Sequence, residues 1–337
     1  MTYVLVFLFG GVVVVFAGTA LARHADAIAE RTRLGRLWVG AVLLAGATSL
    51  PELMTDIFSV RLGAEDLAVG DLFGSSMANM LILALIDIIP PRKRVLQQAT
   101  LDHALSAGLA ISLNAIAVVL VLTRHDVGIL GVGVGSIVLF GAYIAGTRAV
   151  YRQALSAGAV LAVPDTEEAP VRREPGLRLA VLGFVAAAAV IVVSAPAFAW
   201  SAKGIAEISG LGNTFVGTWL LGLCTSLPEL VASLAAVKMG SFDLAVGNLF
   251  GSNAFNMAIF LPLDLVQPGS LFLALDPNHA LSGLFAVVLM SLGLAAIVYR
   301  AKKRFAMIEP DSFLMLAVYV LGIWMLYTHT AGRAVGP

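Results

Sequence analysis

Apolar residues run in blocks of about twenty, too long for buried strands or core helices, with short polar stretches between them. The blocks fall at residues 2–22, 38–60, 67–89, 101–122, 127–147, 177–199, 215–237, 243–266, 280–299 and 313–330. Each is long enough for an α-helix to cross ~30 Å of hydrocarbon. The pattern predicts ten transmembrane helices. The first block ends in Ala20-Leu21-Ala22, which imitates a signal-peptidase site. It lacks a preceding positive stretch and its apolar run is long, so it reads as a retained span. The longest polar interruption, Arg148 to Gly176, contains PDTEEAPVRREPG and reads as a solvated linker.

The blocks repeat. TSLPELMTDIFSVRLGAEDLAVGDLFGSSMANM begins at Thr48, and TSLPELVASLAAVKMGSFDLAVGNLFGSNAFNM begins 177 positions later at Thr225, with 19 of 33 positions identical. The register runs back through Ile28-Ala29-Glu30 and Ile205-Ala206-Glu207 and forward to Asp87 and Asp264. With one deletion it reaches His103-Ala104-Leu105-Ser106 and His279-Ala280-Leu281-Ser282. The unit of duplication is therefore a whole half of five spans. Because five is odd, the second copy crosses the membrane in the opposite sense. The expected fold is an all-α membrane protein of ten transmembrane helices, built as two inverted five-helix repeats. Residues 1–147 form the first repeat, 148–176 the linker and 177–337 the second repeat, with the strongest similarity at 40–89 and 217–266. Inverted halves with a site between them near the midplane are the architecture of many secondary transporters.

Composition agrees with lipid: 59% of the 337 residues are hydrophobic and 12% are charged, against about 25% charged in soluble domains. A net charge of zero gives no basic footprint for nucleic acid. A single cysteine, Cys224, excludes an internal disulfide and a thiolate metal cage. Of the 21 Lys and Arg residues, 17 fall in the loops after spans one, three, five, seven and nine. The positive-inside rule then puts that side in the cytoplasm, with the linker, and both termini outside a plasma (inner) membrane.

Against this apolar background two glutamates stand out. Glu52 and Glu229 lie mid-span, where an acidic residue costs ~2.5–3.5 kcal/mol on insertion scales. A cation, a proton or a buried partner must offset that cost, and no Lys or Arg lies in the core of any span. Pro51 and Pro228 directly precede them. A helix proline cannot donate to the carbonyl four residues back, so the carbonyls of Ala47 and Cys224 are expected to be freed. The same turns carry Thr48, Ser49, Thr225 and Ser226. Carboxylate, hydroxyl and carbonyl oxygens are hard ligands suited to calcium or sodium. GSSMAN and GSNAFN add Ser75 with Asn79 and Ser252 with Asn256, spaced i, i+4 on one helix face. Gly74 and Gly251 allow close helix approach. Asp56, one turn beyond Glu52, and Asp71, one turn before Ser75, are additional carboxyls whose mates are Ser233 and Asn248. They either line a vestibule at the span ends or supplement the site. His103 and His279 read as interfacial, and Glu30 and Glu207 as structural.

TSLPE followed by GSS or GSN-x-x-N, in two inverted copies, resembles the repeats of the cation/calcium exchanger superfamily, especially its sodium/calcium exchangers. The resemblance covers nearly the whole chain. It implies four central helices around the ions, with Glu52 and Glu229 as the main calcium ligands. Thr48, Ser49, Ser75, Asn79, Thr225, Ser226, Ser252 and Asn256 would complete the calcium and sodium sites. The sequence departs from the family at Ala47 and Cys224, where glycine is usual, at Ser76 in place of the first asparagine of GSN, and at Asn256, where many prokaryotic members carry Asp. The implied function is a secondary active antiporter exchanging calcium against sodium by alternating access, with spans one and six sliding across the core. A proton-coupled exchanger would use the same glutamates. A channel would instead build acid rings from several subunits, and an intramembrane protease lacks a GxSxG-type elbow. No enzyme activity, cofactor or obligatory protein partner is expected; the partners are calcium, sodium and the bilayer, with protons in the alternative coupling.

Overall fold

A computed structural model describes residues 2–32, 39–88, 95–101, 103–124, 128–129, 131–160, 176–210, 213–299 and 310–331. Ten of the described helices are long and apolar enough to cross a membrane. They are α1 (Thr2–Thr32), α2 (Val39–Arg61), α3 (Glu65–Ile88), α4 (His103–Thr123) and α5 (Val134–Val160) in the first half. The second half contains α6 (Leu177–Ser209), α7 (Asn213–Lys238), α8 (Phe242–Val266), α9 (His279–Tyr299) and α10 (Pro310–Ala331). They correspond to the ten apolar blocks, but α1 and α6 continue well past theirs and take up Glu30 and Glu207, and α5 starts at Val134 and runs to Val160, into the stretch expected to be linker. Helix α6 stops at Gly210, whose φ of 68° is the left-handed cap that glycine supplies without strain. Most of the linker, from 161 to 175, lies outside the described residues.

The helices that bear the repeated motif form the centre. Helix α3 is the most deeply buried and packs on α7, α8, α9 and α10. Helix α8 packs in turn on the first part of α2, on α4 and on α5. The contacts of the two halves are reciprocal: α1 lies on the second segment of α7, α6 lies on the second segment of α2, and α1 and α6 pack along each other. Their outer faces expose Leu5, Leu8, Phe9, Phe16 and Val193, apolar surface suited to lipid.

Two glycines set the closest approaches. A Cβ on Gly74 would come within 2.2 Å of the Thr218 carbonyl oxygen, and one on Gly251 within 2.3 Å of the Ala41 carbonyl oxygen. Backbone therefore meets backbone at equivalent points of the two halves, as small residues permit in membranes.

Paired acids tie the helix ends across the halves. His103 Nε2 lies 2.9 Å from Asp243 Oδ1, and His279 Nε2 lies 2.9 Å from Asp66 Oδ1. Each aspartate also accepts a backbone N–H, from Thr100 at 3.0 Å and from Asp276 at 2.8 Å. Each histidine is buried at the first residue of its helix and clasps the start of α4 or α9 to the opposite half. Asp87 and Asp264 play a similar part, accepting from Leu96 N and Ser312 Oγ, and from Gly133 N and Leu271 N. These ties sort the loops into two faces. The turn at 62–64, the C-terminal end of α6 and the segment 265–278 share one face, where Lys203 Nζ donates to the Leu62 carbonyl. The turn between α7 and α8 and the segment 95–101 share the other. In the sequence the first face is the one poor in Lys and Arg.

Candidate cation site

Helices α2 and α7 are both interrupted at the repeated TSLPE. In α2, π-helical turns at Val39–Leu44 lead into Ala45–Thr48, then Ser49 (φ −86°, ψ 9°), and a new segment Leu50–Arg61 begins with Pro51 in its first turn. In α7 the order is Gly217–Leu221, Gly222–Thr225, Ser226 (φ −79°, ψ 5°) and Leu227–Lys238. Proline starts a helix without loss because first-turn N–H groups have no intrahelical acceptor. The result puts Glu52 and Glu229 in the first turns of their segments, at a helix N-terminus that favours negative charge. One expectation is corrected. The carbonyls of Ala47 and Cys224 are not left open, because N–H groups at the Ser49 and Ser226 turns close onto them. The carbonyls met by hydroxyls are instead those of Leu44, Ala45, Leu221 and Gly222.

The breaks turn both glutamates inward, and all ten primary candidate residues are buried. Glu229 Oε1 accepts from Ser49 Oγ at 3.1 Å and from Ser252 Oγ at 3.2 Å, so two helices of opposite halves meet on one oxygen; Oε2 has no partner among the described residues. Glu52 has no hydrogen-bond partner at either oxygen among the described residues. Ser75 is close to it, but its hydroxyl is shared among Asp71 Oδ1 at 3.3 Å, the Gly222 carbonyl at 3.2 Å and Thr225 Oγ1 at 3.1 Å. Thr225 donates to Asp71 Oδ1 at 2.8 Å. Thr48 lies 3.0 Å from the Leu44 carbonyl and 3.2 Å from Asn248 Oδ1. Glu229 and Asp71 are both near enough to Glu52 for their charges to repel it.

The structure therefore brings Thr48, Ser49, Glu52, Ser75, Thr225, Glu229 and Ser252 into one interlocked cluster with Asp71. Among the described residues Ser226 Oγ is buried without a partner, as are Asn79 Oδ1 and both polar atoms of the Asn256 amide. Unpaired buried polar atoms are costly, and here they are mostly oxygens on the helices of the repeated motif. Among the described residues, no three His, Cys, Asp or Glu side chains converge tightly enough to hold a metal alone. Hydroxyls and amides would have to complete the coordination of a hard cation. Sequence reasoning missed Asn253, which accepts from Asn79 Nδ2 at 2.8 Å and donates to the Ser76 carbonyl at 3.3 Å, bracing α3 against α8. It also missed Asn114, whose amide reaches the Ala110 and Asn253 carbonyls. Both were legible only as polar residues in apolar helices.

Comparison with known proteins places this arrangement. A family model described as sodium/calcium exchanger protein matches residues 2–150 and 179–328. An uncharacterised membrane protein of Methanocaldococcus jannaschii is 26% identical, covering 94% of this chain and 95% of that protein. The inner membrane protein YrbG of Escherichia coli is 27% identical over 88% of each. Among solved structures, the sodium-calcium exchanger NCX_Mj, soaked with sodium and strontium, superposes with a TM-score of 0.66 over 96% of this chain and 97% of its own, at 21% identity. That likeness concerns the fold.

Proposed function

This chain belongs to the sodium/calcium exchanger family, and we propose that it is a secondary active antiporter exchanging calcium against sodium at a site built on Glu52 and Glu229. The observation that supports the site is a pair of buried glutamates, each in the first turn of a broken helix, with three of four carboxylate oxygens unpartnered among the described residues. Two such charges need compensation in a medium that solvates them poorly. One calcium ion supplies it in a single step, and sodium ions supply it severally, at overlapping oxygens of Thr48, Ser49, Ser75, Asn79, Thr225, Ser226, Ser252 and Asn256. Overlap prevents both cations from binding fully at once, and the cost of the empty site favours crossing only when it is loaded. Helices α1 and α6, packed on the second segments of α7 and α2, are the elements whose sliding would switch access between faces.

On this reading the protein is a multi-pass transporter of the plasma (inner) membrane with both termini outside and the 148–176 linker in the cytoplasm. It carries no enzyme activity or cofactor of its own and needs no protein partner. The test is calcium uptake into proteoliposomes under an outward sodium gradient. Uptake that needs sodium supports the reading; equal uptake under a pH gradient with sodium absent assigns the coupling to protons instead.

A further inference from the structure

Asn79 and Asn256 hold equivalent places in the two halves and are both fully buried, yet their amides are held differently. Asn79 Nδ2 donates to Asn253 Oδ1 at 2.8 Å, while Asn79 Oδ1 has no partner among the described residues. Asn256 has none there at either atom. The difference lies in the residue that reaches across from the opposite helix. Asn253 on α8 serves Asn79 on α3, but the counterpart of Asn253 is Ser76. Its hydroxyl turns back onto the Leu72 carbonyl of its own helix at 2.9 Å and leaves Asn256 without a donor or acceptor.

Asn253 is itself not free to turn. Its Nδ2 donates to the Ser76 backbone carbonyl at 3.3 Å, a group that can only accept. That bond fixes Oδ1 as the edge of the amide that faces Asn79. Only the N–H edge of Asn79 can pair with an oxygen, so the Asn79 carbonyl oxygen has to point elsewhere. Asn79 follows Ser75 by one turn, on the face where the Ser75 hydroxyl meets Thr225 and the Gly222 carbonyl. A third amide secures the backbone of Asn253. Asn114 Nδ2 on α4 donates to its carbonyl at 3.4 Å, and the counterpart of Asn114 in the second half is Met290.

We propose that Asn253 is a positioning residue for cation binding, holding the Asn79 amide so that its oxygen and not its nitrogen faces the ion. Both polar atoms of the Asn253 side chain are taken by protein groups, so it acts through Asn79. A flipped Asn79 would set two amide oxygens against each other and turn its N–H edge on the cation. Asn256 has no such brace and is oriented by the ion it binds, an ordering cost that Asn79 avoids. The role rests on the reading of Asn79 as a ligand of the exchanger site.

The experiment is equilibrium binding of radioactive calcium to purified protein in detergent, run as a double-mutant cycle. Asn253→Ala should weaken calcium binding about tenfold, as loss of a group that orients a metal ligand does. In an Asn79→Ala background the same substitution should change affinity by less than about twofold, because the group it orients is gone. In an Asn256→Ala background the full effect should return. Asn253→Ser, the residue the first half already holds at this position, should behave as Asn253→Ala does and covers the case of a misfolded alanine variant. Weakening of the same size with and without Asn79, as a merely structural role would give, overturns the proposal. So does unchanged binding by folded Asn253→Ser. A parent protein that binds no calcium would defeat the exchanger reading as well, whereas an Asn253 effect indifferent to Asn79 defeats this inference alone.

Discussion

Glu52 and Glu229 occupy equivalent places in the two halves, yet among the described residues Glu229 is held by two hydroxyls and Glu52 by none. The difference arises not at the glutamates but at the residue that faces each from the neighbouring helix. In the second half it is Asn248, whose amide has donors as well as an acceptor; it satisfies Ser233 and leaves Ser252 to serve Glu229. In the first half it is Asp71, an acceptor only, which takes the Ser75 hydroxyl; Thr225 donates to Asp71 just as Thr48 donates to Asn248. The Asn-to-Asp difference thus accounts for one of the two hydrogen bonds; the other is the contact of Ser49 with Glu229, whose counterpart Ser226 Oγ has no partner among the described residues. The shared motif builds a symmetric frame, and single substitutions within it make the two sides chemically unequal.

The frame itself should break alike in both halves. Gly74→Val and Gly251→Val would each drive side-chain atoms into opposing backbone carbonyls, at about 3 kcal/mol, the upper range for overpacking. Thermal unfolding in detergent should show both losing stability to a similar degree. A large loss for one and none for the other would mean the close approaches are not equivalent.

The chemistry should respond to exchanging the facing residues. Asp71→Asn removes a buried, uncompensated charge and should raise stability in calcium-free buffer by about 1 kcal/mol, while shrinking the stabilisation that calcium adds. Asn248→Asp should do the reverse, lowering calcium-free stability. Melting curves with and without calcium check both; identical curves for the two variants would show that position 71 does not set the asymmetry.

The clasps test the opposite point, since they look the same. His103→Ala and His279→Ala each remove one side-chain contact to an aspartate that also caps backbone. Each should cost about 1 kcal/mol, an ordinary hydrogen bond, read as equal shifts of the melting temperature. Smallest of all, deleting Asp165 to Arg173, outside the described residues, should leave calcium transport within about twofold of the parent, because a solvated linker tolerates shortening.

Much of this was legible in the sequence because burying charge in a helix is expensive enough to leave a signature. The ten spans follow from hydropathy, the duplication from the 177-residue register, and Glu52 and Glu229 from their place in apolar runs. Hydroxyls at Ser49, Ser75, Thr225 and Ser252 were found because they share turns or faces with the glutamates. Lateral partners were not legible. That Asn79 meets Asn253 across 174 positions, or that His103 meets Asp243 across 140, depends on how helices pack, which periodicity does not encode. A signal for the clasps was present, since Asp66 and Asp243 are identical between the copies just as His103 and His279 are. The Ala47 and Cys224 carbonyls were misjudged for another reason. The missing proline donor was read as a loss within a continuous helix, whereas the chain ends one helix and begins another there, and the turn supplies new N–H groups.

The central claim is that two glutamates in unlike surroundings hold one calcium ion together. It is tested most directly by sodium-driven calcium uptake into proteoliposomes bearing Glu52→Gln or Glu229→Gln, with folding checked by size-exclusion chromatography. Each substitution removes one of two charges facing a divalent ion in a poorly solvated site, so both variants should lose uptake to background despite the different hydrogen bonding around them. Uptake at near-parental rate by either folded variant would contradict the account, because that glutamate would then not be a calcium ligand.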